Sequence, residues 1–246
     1  MGGVRTRSTV LAVLLPAVLL LGGCLQKVEP AAQADAPPPP GPTEDRAGRA
    51  QTNTRAGITY PTTGAGTWQL ARRGPLVGRA GKLLRFHVAV ENGITGVGAD
   101  EFGQAVVKTL GDPRSWTADG KWRFQLAGPG EQSDFTIYLA TPGTRDRLCA
   151  DGPDKYTSCR KNSNVVLNVA RWVNGVPRYG ADLGVYRQYM VNHETGHQLG
   201  HNHELCPGAG KPAPVMQTQT LDLKGCTANA WPYLDGKRYF GAPAPR

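Results

Sequence analysis

The 246-residue chain contains no long apolar run, no long basic run and no internal repeat. Its longest apolar stretch, residues 10–21, has about a dozen residues, whereas a membrane-spanning helix needs about 20. The net charge of +9 is modest for this length. We interpret it as a solvated surface rather than a nucleic-acid site, with attraction to anionic envelope polymers or lipid headgroups as the alternative.

The apolar stretch has the features of a secretory signal. Arg5 and Arg7 precede it, and a Leu-Gly-Gly-Cys sequence that ends at Cys24 follows it. This sequence resembles the bacterial lipobox, in which cleavage leaves a lipid-modified cysteine as the new first residue. We therefore predict a lipoprotein signal peptide at residues 1–23 and lipidation of Cys24, with an ordinary signal peptide as the alternative. The chain has no Arg-Arg pair before the run, which favours the general export route.

Residues 24–56 are rich in Ala, Pro, Gln, Asp, Gly and Arg, and prolines fill positions 37–40. Such a segment cannot form a core, so we predict a disordered tether. The folded domain is then expected at residues 57–246. This layout predicts an extracytoplasmic domain that is lipid-anchored to the bacterial cell membrane.

Four cysteines remain after Cys24, namely Cys149, Cys159, Cys206 and Cys226. An even number in an exported protein predicts two disulfides, for which three pairings are possible. We favour Cys149–Cys159 and Cys206–Cys226, because each closes a local loop and neither pair has the C-x-x-C spacing of a zinc knuckle.

Apolar periodicity predicts a loop-rich domain with strands and a few helices. One helix is expected to be capped by Asp100 and to stop at Gly111. Glu91 is expected on the solvated face of a strand, and Asn174-Gly175 predicts a hairpin turn after the last strand. The four predicted strands are residues 67–71, 83–91, 135–140 and 165–173.

The strongest pattern lies at residues 193–203, which hold four of the five histidines. His193 and His197 stand four residues apart, so on a helix both imidazoles lie on one face, about 6 Å apart along the axis. Two nitrogens can then bind one zinc ion at about 2.0 to 2.1 Å. Glu194 can reach a metal-bound water without being a ligand itself, which is the position of a general base. Asp182 is the expected cap of this helix.

A catalytic zinc needs a third protein ligand, and His201 and His203 are the candidates. On a continued helix His201 would lie about 12 Å from His193 along the axis, which is too far for one ion. Gly200 can adopt the left-handed conformation that ends a helix, so the chain after it can return to the metal. We therefore predict His203 as the third ligand, with His201 beside the site.

Together these residues match the metzincin pattern H-E-x-x-H-x-x-G-x-x-H position for position, so the chain resembles that family of zinc peptidases. Metzincins also have a methionine in a tight turn beneath the metal, and Met216 resembles it. The resemblance is firm only for residues 193–203 and Met216. Astacin-like and serralysin-like members have a tyrosine two residues after this methionine, where this chain has Thr218. The resemblance implies an α+β, metzincin-like zincin fold: a mixed twisted sheet, an active-site helix and an irregular C-terminal subdomain.

The resemblance also implies a zinc-dependent endopeptidase. One catalytic Zn²⁺ ion would be bound by the three histidines, and a zinc-bound water would hydrolyse the peptide bond with Glu194 as general base. The expected partner is a peptide or protein substrate in the cell envelope. We expect a monomer and no nucleic-acid partner. As a whole chain, the sequence also resembles an uncharacterised family of bacterial lipoproteins, which implies no substrate.

Two alternatives stay open. A peptidoglycan cross-link hydrolase would use the same site on a different substrate. A non-catalytic zinc lipoprotein could instead bind an envelope component, although a purely structural site would not need Glu194.

Overall fold

The structure is a computed structural model that describes residues 52–55 and 57–245. The predicted signal peptide, Cys24 and nearly all of the predicted tether lie outside the described residues. The strands are β1 (Thr52–Arg55), β2 (Ile58–Pro61), β3 (Trp68–Leu70), β4 (Leu76–Val77), β5 (Lys82–Glu91), β6 (Trp122–Leu126), β7 (Phe135–Ala140), β8 (Cys159–Lys161), β9 (Asn164–Asn168), β10 (Tyr233–Leu234) and β11 (Lys237–Arg238). The helices are α1 (Ala99–Leu110), α2 (Pro142–Cys149), α3 (Val169–Asn174) and α4 (Leu183–Gln198).

A mixed seven-stranded sheet forms the centre of the fold. Strands β6, β5, β7 and β9 lie side by side in that order and run parallel. Strand β4 adds antiparallel to β6, β8 adds antiparallel to β9, and β3 pairs antiparallel with β5. The predicted α+β class with a mixed sheet is therefore confirmed.

The apolar core lies between this sheet and two helices. Phe86, Val88, Ile137, Leu139 and Leu167 are fully buried on β5, β7 and β9. Helix α1 packs against β5 and β6, and α4 packs against β8 and β9 and also contacts α1. Burying each such side chain stabilises the fold by about 1.5 to 3 kcal/mol. The core thus fixes α4, the helix that carries the histidine motif, against one side of the sheet.

Residues 169–174 form helix α3, so the prediction of a strand over residues 165–173 is wrong in its second half. A buried apolar run has no periodicity that separates strand from helix. The side chain of Asn168 accepts a hydrogen bond from the Ala170 amide and caps the helix. The Asn174-Gly175 hairpin is also wrong, because Gly175 is the residue that ends α3.

Two acidic residues have environments that differ from the predicted ones. Asp100 is in the first turn of α1, whose cap is Gly98, and its carboxylate accepts hydrogen bonds from the Arg72 amide and side chain. Glu91 is fully buried instead of solvated. Its carboxylate accepts bonds from the amides of Gly66 and Thr141 at 2.9 and 2.8 Å, which offsets the cost of burial.

Strand β1 lies before residue 57, the predicted start of the folded domain. Strand β1 pairs antiparallel with β2, although all of its residues are exposed. Backbone hydrogen bonds hold β1 to β2. Because β1 buries no side chain, it has no apolar pattern from which it could be predicted.

After α4 the chain is irregular. The described residues 199–245 contain no helix and only the two-residue strands β10 and β11. Frequent prolines and glycines in this stretch account for its lack of regular structure. None of the described helices is long and apolar enough to cross a membrane.

Both predicted disulfides are confirmed. Cys149 at the end of α2 is bonded to Cys159 in β8, and Cys206 is bonded to Cys226 in the irregular region. Disulfides form and persist in oxidising compartments, so they indicate an extracytoplasmic location.

Candidate metal centre

Helix α4 carries His193, Glu194 and His197 close to its C-terminal end. Asp182 precedes the helix, but its side chain makes no capping hydrogen bond. The helix ends at Gln198, and Gly200 has a φ of +92°, a conformation that favours glycine. The chain turns there.

The turn brings His203 back to the helix. Its ring lies 4.7 Å from that of His197 and 5.4 Å from that of His193, measured between centroids. The ligand nitrogens of the three histidines all lie within 4.8 Å of one another, so this group could hold a metal ion. No fourth His, Cys, Asp or Glu joins the cluster among the described residues.

The nitrogens of His197 and His203 lie at a separation that two ligands of one zinc ion can have. The Nε2 atoms of His197 and His203 lie 3.1 Å apart. Two ligands of a tetrahedral zinc ion with bonds of about 2.0 to 2.1 Å are about 3.3 Å apart. The Nδ1 of His193 donates to the Val215 carbonyl and that of His197 donates to the His201 carbonyl, both at 2.8 Å. Each ring therefore keeps the lone pair of Nε2 for a metal.

The electrostatic environment keeps these imidazoles neutral. Burial, with the nearby His197 as a smaller cause, lowers the pKa of His193 well below its usual value. Burial also lowers the pKa of His197 to about 4 and lowers the pKa of His203. Neutral imidazole is the form that binds metals, so the site is ready for an ion at neutral pH.

Glu194 lies beside the cluster and is 6% exposed. Burial raises its pKa to about 8, while the positive charge of Arg145 acts in the opposite direction. A carboxyl group with a pKa near the ambient pH can both accept and donate a proton.

The three histidines and Glu194 line a cavity of about 500 Å³. One wall consists of residues from the 151–158 loop together with β8, and another includes residues 218, 220 and 221. His201, which also lines the cavity, is not part of the histidine cluster. Its ring stacks on Trp116 at 4.5 Å, and its carbonyl orients His197.

Arg145 organises the first wall. Its side chain is 1% exposed and donates two hydrogen bonds to the Asp151 carboxylate, at 2.8 and 2.9 Å. It also pairs with Asp146 and Asp154, and its Nε donates to the Thr157 carbonyl. Sequence reasoning missed Arg145, because α2 has almost no amphipathic pattern and only the nearby aspartates hint at a buried cation.

A turn at Met216 supports the cluster from below. Gln217 N donates to the Pro214 carbonyl and closes the turn, and Met216 is fully buried within it. Val215 accepts the hydrogen bond from His193, and the Met216 carbonyl accepts one from the amide of Glu204. The turn thus contacts His193 directly and contacts His203 through the next residue, Glu204. The Cys206–Cys226 disulfide encloses it, a loop closure that contributes about 3 kcal/mol.

The C-terminal residues support the third ligand from the other side. Ala244 N donates to the His203 carbonyl at 2.9 Å, and Leu205 N donates to the Ala242 carbonyl at 2.8 Å. The Glu204 carboxylate pairs with Arg238 at 2.9 Å. This support could not be predicted from the sequence, because the segment has no periodic pattern.

Asn192 anchors the helix just before the first ligand. It is fully buried, accepts a hydrogen bond from the Ser115 hydroxyl at 2.7 Å and donates one to the Ala230 carbonyl at 2.9 Å. The indole of Trp116 donates to the Asn192 carbonyl. Trp116 is therefore part of the core, and it also holds helix α4 in place.

Gly196 is required for this packing. An added Cβ would lie 2.4 Å from the Met216 sulfur and 2.7 Å from Trp116 Cζ2, and both side chains are buried. We expect Gly196→Ala to destabilise the protein by about 1 to 3 kcal/mol through overpacking, seen as a lower Tm in thermal unfolding. Gly184 in the same helix has no atom within 4 Å of such a Cβ, so Gly184→Ala is the matched control and should be neutral or stabilising. Equal Tm values for the two variants would contradict this packing.

Fold and site together define an α+β protein with a group of three histidines that could hold a metal ion and that lines a cavity. A family model described as "Protein of unknown function (DUF3152)" matches residues 54–231, and the chain belongs to this family. The matched stretch includes the three histidines, Glu194 and Met216, and it ends before the C-terminal residues that support His203. Comparisons with curated proteins and with solved structures find no match.

Proposed function

We propose that the protein is a metzincin-like, zinc-dependent endopeptidase, lipid-anchored at Cys24 on the outer side of the bacterial cytoplasmic membrane. One observation carries the proposal: Glu194, a buried carboxyl group, borders the same cavity as three metal-binding histidines. Among the described residues this cluster has no fourth protein ligand. A structural zinc site usually closes with four protein ligands and has no use for such a carboxylate.

His193, His197 and His203 would bind the zinc ion through their imidazole nitrogens. When bound, zinc lowers the pKa of a coordinated water to about 7 and polarises a substrate carbonyl.

Glu194 would move the proton. It would accept the proton of the attacking water as the new bond to the carbonyl carbon forms, and it would then deliver that proton to the leaving nitrogen. Burial raises the pKa of Glu194, and the positive charge of Arg145 favours the ionised form that accepts the proton.

Strand β8 offers a place for an extended substrate. It is the terminal strand of the sheet, and two of its three residues, Cys159 and Arg160, line the cavity. A peptide that added to this edge would be held by backbone hydrogen bonds, with alternate side chains directed into the cavity. This geometry supports cleavage within a chain. A protein and a peptidoglycan cross-link peptide both remain candidate substrates.

Four features of the fold support the proposal of a metzincin-like zincin. They are the mixed sheet with an antiparallel edge strand, the helix with the histidine motif, the irregular region after it and the buried Met216 turn.

The test combines metal analysis with a cleavage assay. The full chain should bind one zinc ion and cleave members of a mixed peptide library, a chelator should abolish cleavage, and added zinc should restore it. If the zinc-loaded protein cuts neither peptides nor muropeptides, the proposal fails and the non-catalytic zinc lipoprotein takes its place.

The location has its own test. Because the lipobox-like sequence predicts the anchor, Cys24→Ala should move the protein from the membrane fraction to the soluble fraction and should abolish its labelling with a fatty-acid analogue. A Cys24→Ala variant that stays in the membrane fraction after a high-salt wash would rule out this anchor.

A further inference from the structure

Two arginines line the cavity, and they differ in their surroundings. Arg145 is buried and paired with three aspartates, so its donors are used within the protein. Arg160 is exposed, and its Nε donates to the side-chain oxygen of Gln198 at 3.1 Å. No described carboxylate forms an ion pair with Arg160.

The position of Arg160 is close to the proposed reaction. It is the middle residue of β8, the edge strand beside which an extended peptide would lie. Its partner Gln198 directly follows the ligand His197. Neighbouring side chains on a strand point to opposite faces, so Arg160 points away from the side on which Cys159 is bonded to α2.

We propose that Arg160 binds a carboxylate of the substrate, so that the enzyme selects peptides with an acidic group within a few residues of the scissile bond. This inference rests on the proposed function. A guanidinium presents its donors in a planar fork that matches a carboxylate. Arg160 has no acidic partner among the described residues, so its terminal nitrogens can make that pair. The acidic group is an Asp or Glu side chain, or the terminal carboxylate of a short peptide.

The test compares cleavage of peptides that differ only in charge. Decapeptides with blocked ends carry Glu, Gln or Lys at one fixed position and mixed residues elsewhere. Wild-type protein should favour the Glu series over the Gln series by about two- to fivefold in kcat/KM, the range of one exposed ion pair. Arg160→Gln should lose this preference, Arg160→Lys should keep part of it, and Arg160→Glu should favour the Lys series.

Lys161 provides the matched control. It is an exposed cation on the same strand, but it does not line the cavity. Lys161→Gln should therefore keep the full preference for Glu. A second peptide set with free C-terminal ends identifies the source of the carboxylate: a preference seen only in this set assigns it to the chain end.

Binding separates this inference from the proposed function. Fluorescence anisotropy measures the affinity of each series for zinc-loaded Glu194→Gln protein, with and without the Arg160 change. An Arg160-dependent preference in binding supports the carboxylate site even if wild-type protein cuts nothing. A preference that is absent, or unchanged in Arg160→Gln, overturns the inference even if peptides are cleaved.

Discussion

Replacing Glu194 with glutamine should lower kcat by about 10² to 10⁴, the contribution of one positioned acid or base. Glutamine has nearly the same size and can fill the same buried position, but it cannot accept the proton of the attacking water. Glu194 is not one of the residues that would hold the ion, so the zinc content should stay at one ion per chain. The substrate KM should change little, because a group that acts only in the transition state affects turnover rather than binding.

The measurement is a steady-state assay on zinc-loaded protein, together with metal analysis and circular dichroism. Glu101→Gln is the control, since Glu101 is an exposed residue of α1. It should leave kcat, zinc content and fold unchanged. A Glu194→Gln variant that turns over substrate at the wild-type rate would show that Glu194 is not the base.

Local spacing accounts for what the sequence predicted well at the site. The i, i+4 spacing of His193 and His197 fixes their relation on any helix. Glycine is one of the few residue types that readily adopt a positive φ, and Gly200 does so where the helix ends. Both constraints act within about ten residues, so no knowledge of the rest of the fold was needed to place His203 near the metal.

The parts that sequence reasoning missed depend on contacts between distant residues. Arg145 is buried because aspartates and a carbonyl from the following loop surround it, an arrangement that no apolar periodicity reports. Glu91 is likewise buried because amides from two other segments meet it. The pairing of Ala242 and Ala244 with the third ligand's segment is also long-range.

In the fold, too, elements with a clear local pattern were predicted and an element without one was not. Strands β5 and β7 were predicted nearly residue for residue, because apolar runs bounded by polar or turn residues mark them. Helix α3 was missed because its residues continue the apolar run of β9, and only the cap at Asn168 marks the change. A polar residue inside an apolar run can therefore mark the start of a helix.

His203→Ala should weaken zinc binding by more than 10²-fold, because changing only a partner of a ligand already costs about 10- to 100-fold and this variant removes a ligand itself. His201→Ala should change zinc affinity far less. The contribution of His201 to the site is its backbone carbonyl, which accepts the hydrogen bond from His197 and is kept in the variant. The His201 ring packs on Trp116 and is not part of the three-histidine cluster. His201→Ala therefore removes a packing contact and no candidate metal ligand.

Competition with a chromophoric chelator gives the zinc dissociation constant of each variant, and thermal unfolding of the metal-free proteins reports their packing. The Tm should fall for His201→Ala, because the stack on Trp116 is lost, while its zinc affinity stays near that of the wild type. His203→Ala should lose zinc affinity with a smaller fall in Tm, since His203 is more exposed than His201. Equal zinc loss in the two variants, or greater loss at His201, would mean that the chain does not return to the metal after Gly200, and the metzincin assignment would fall with it.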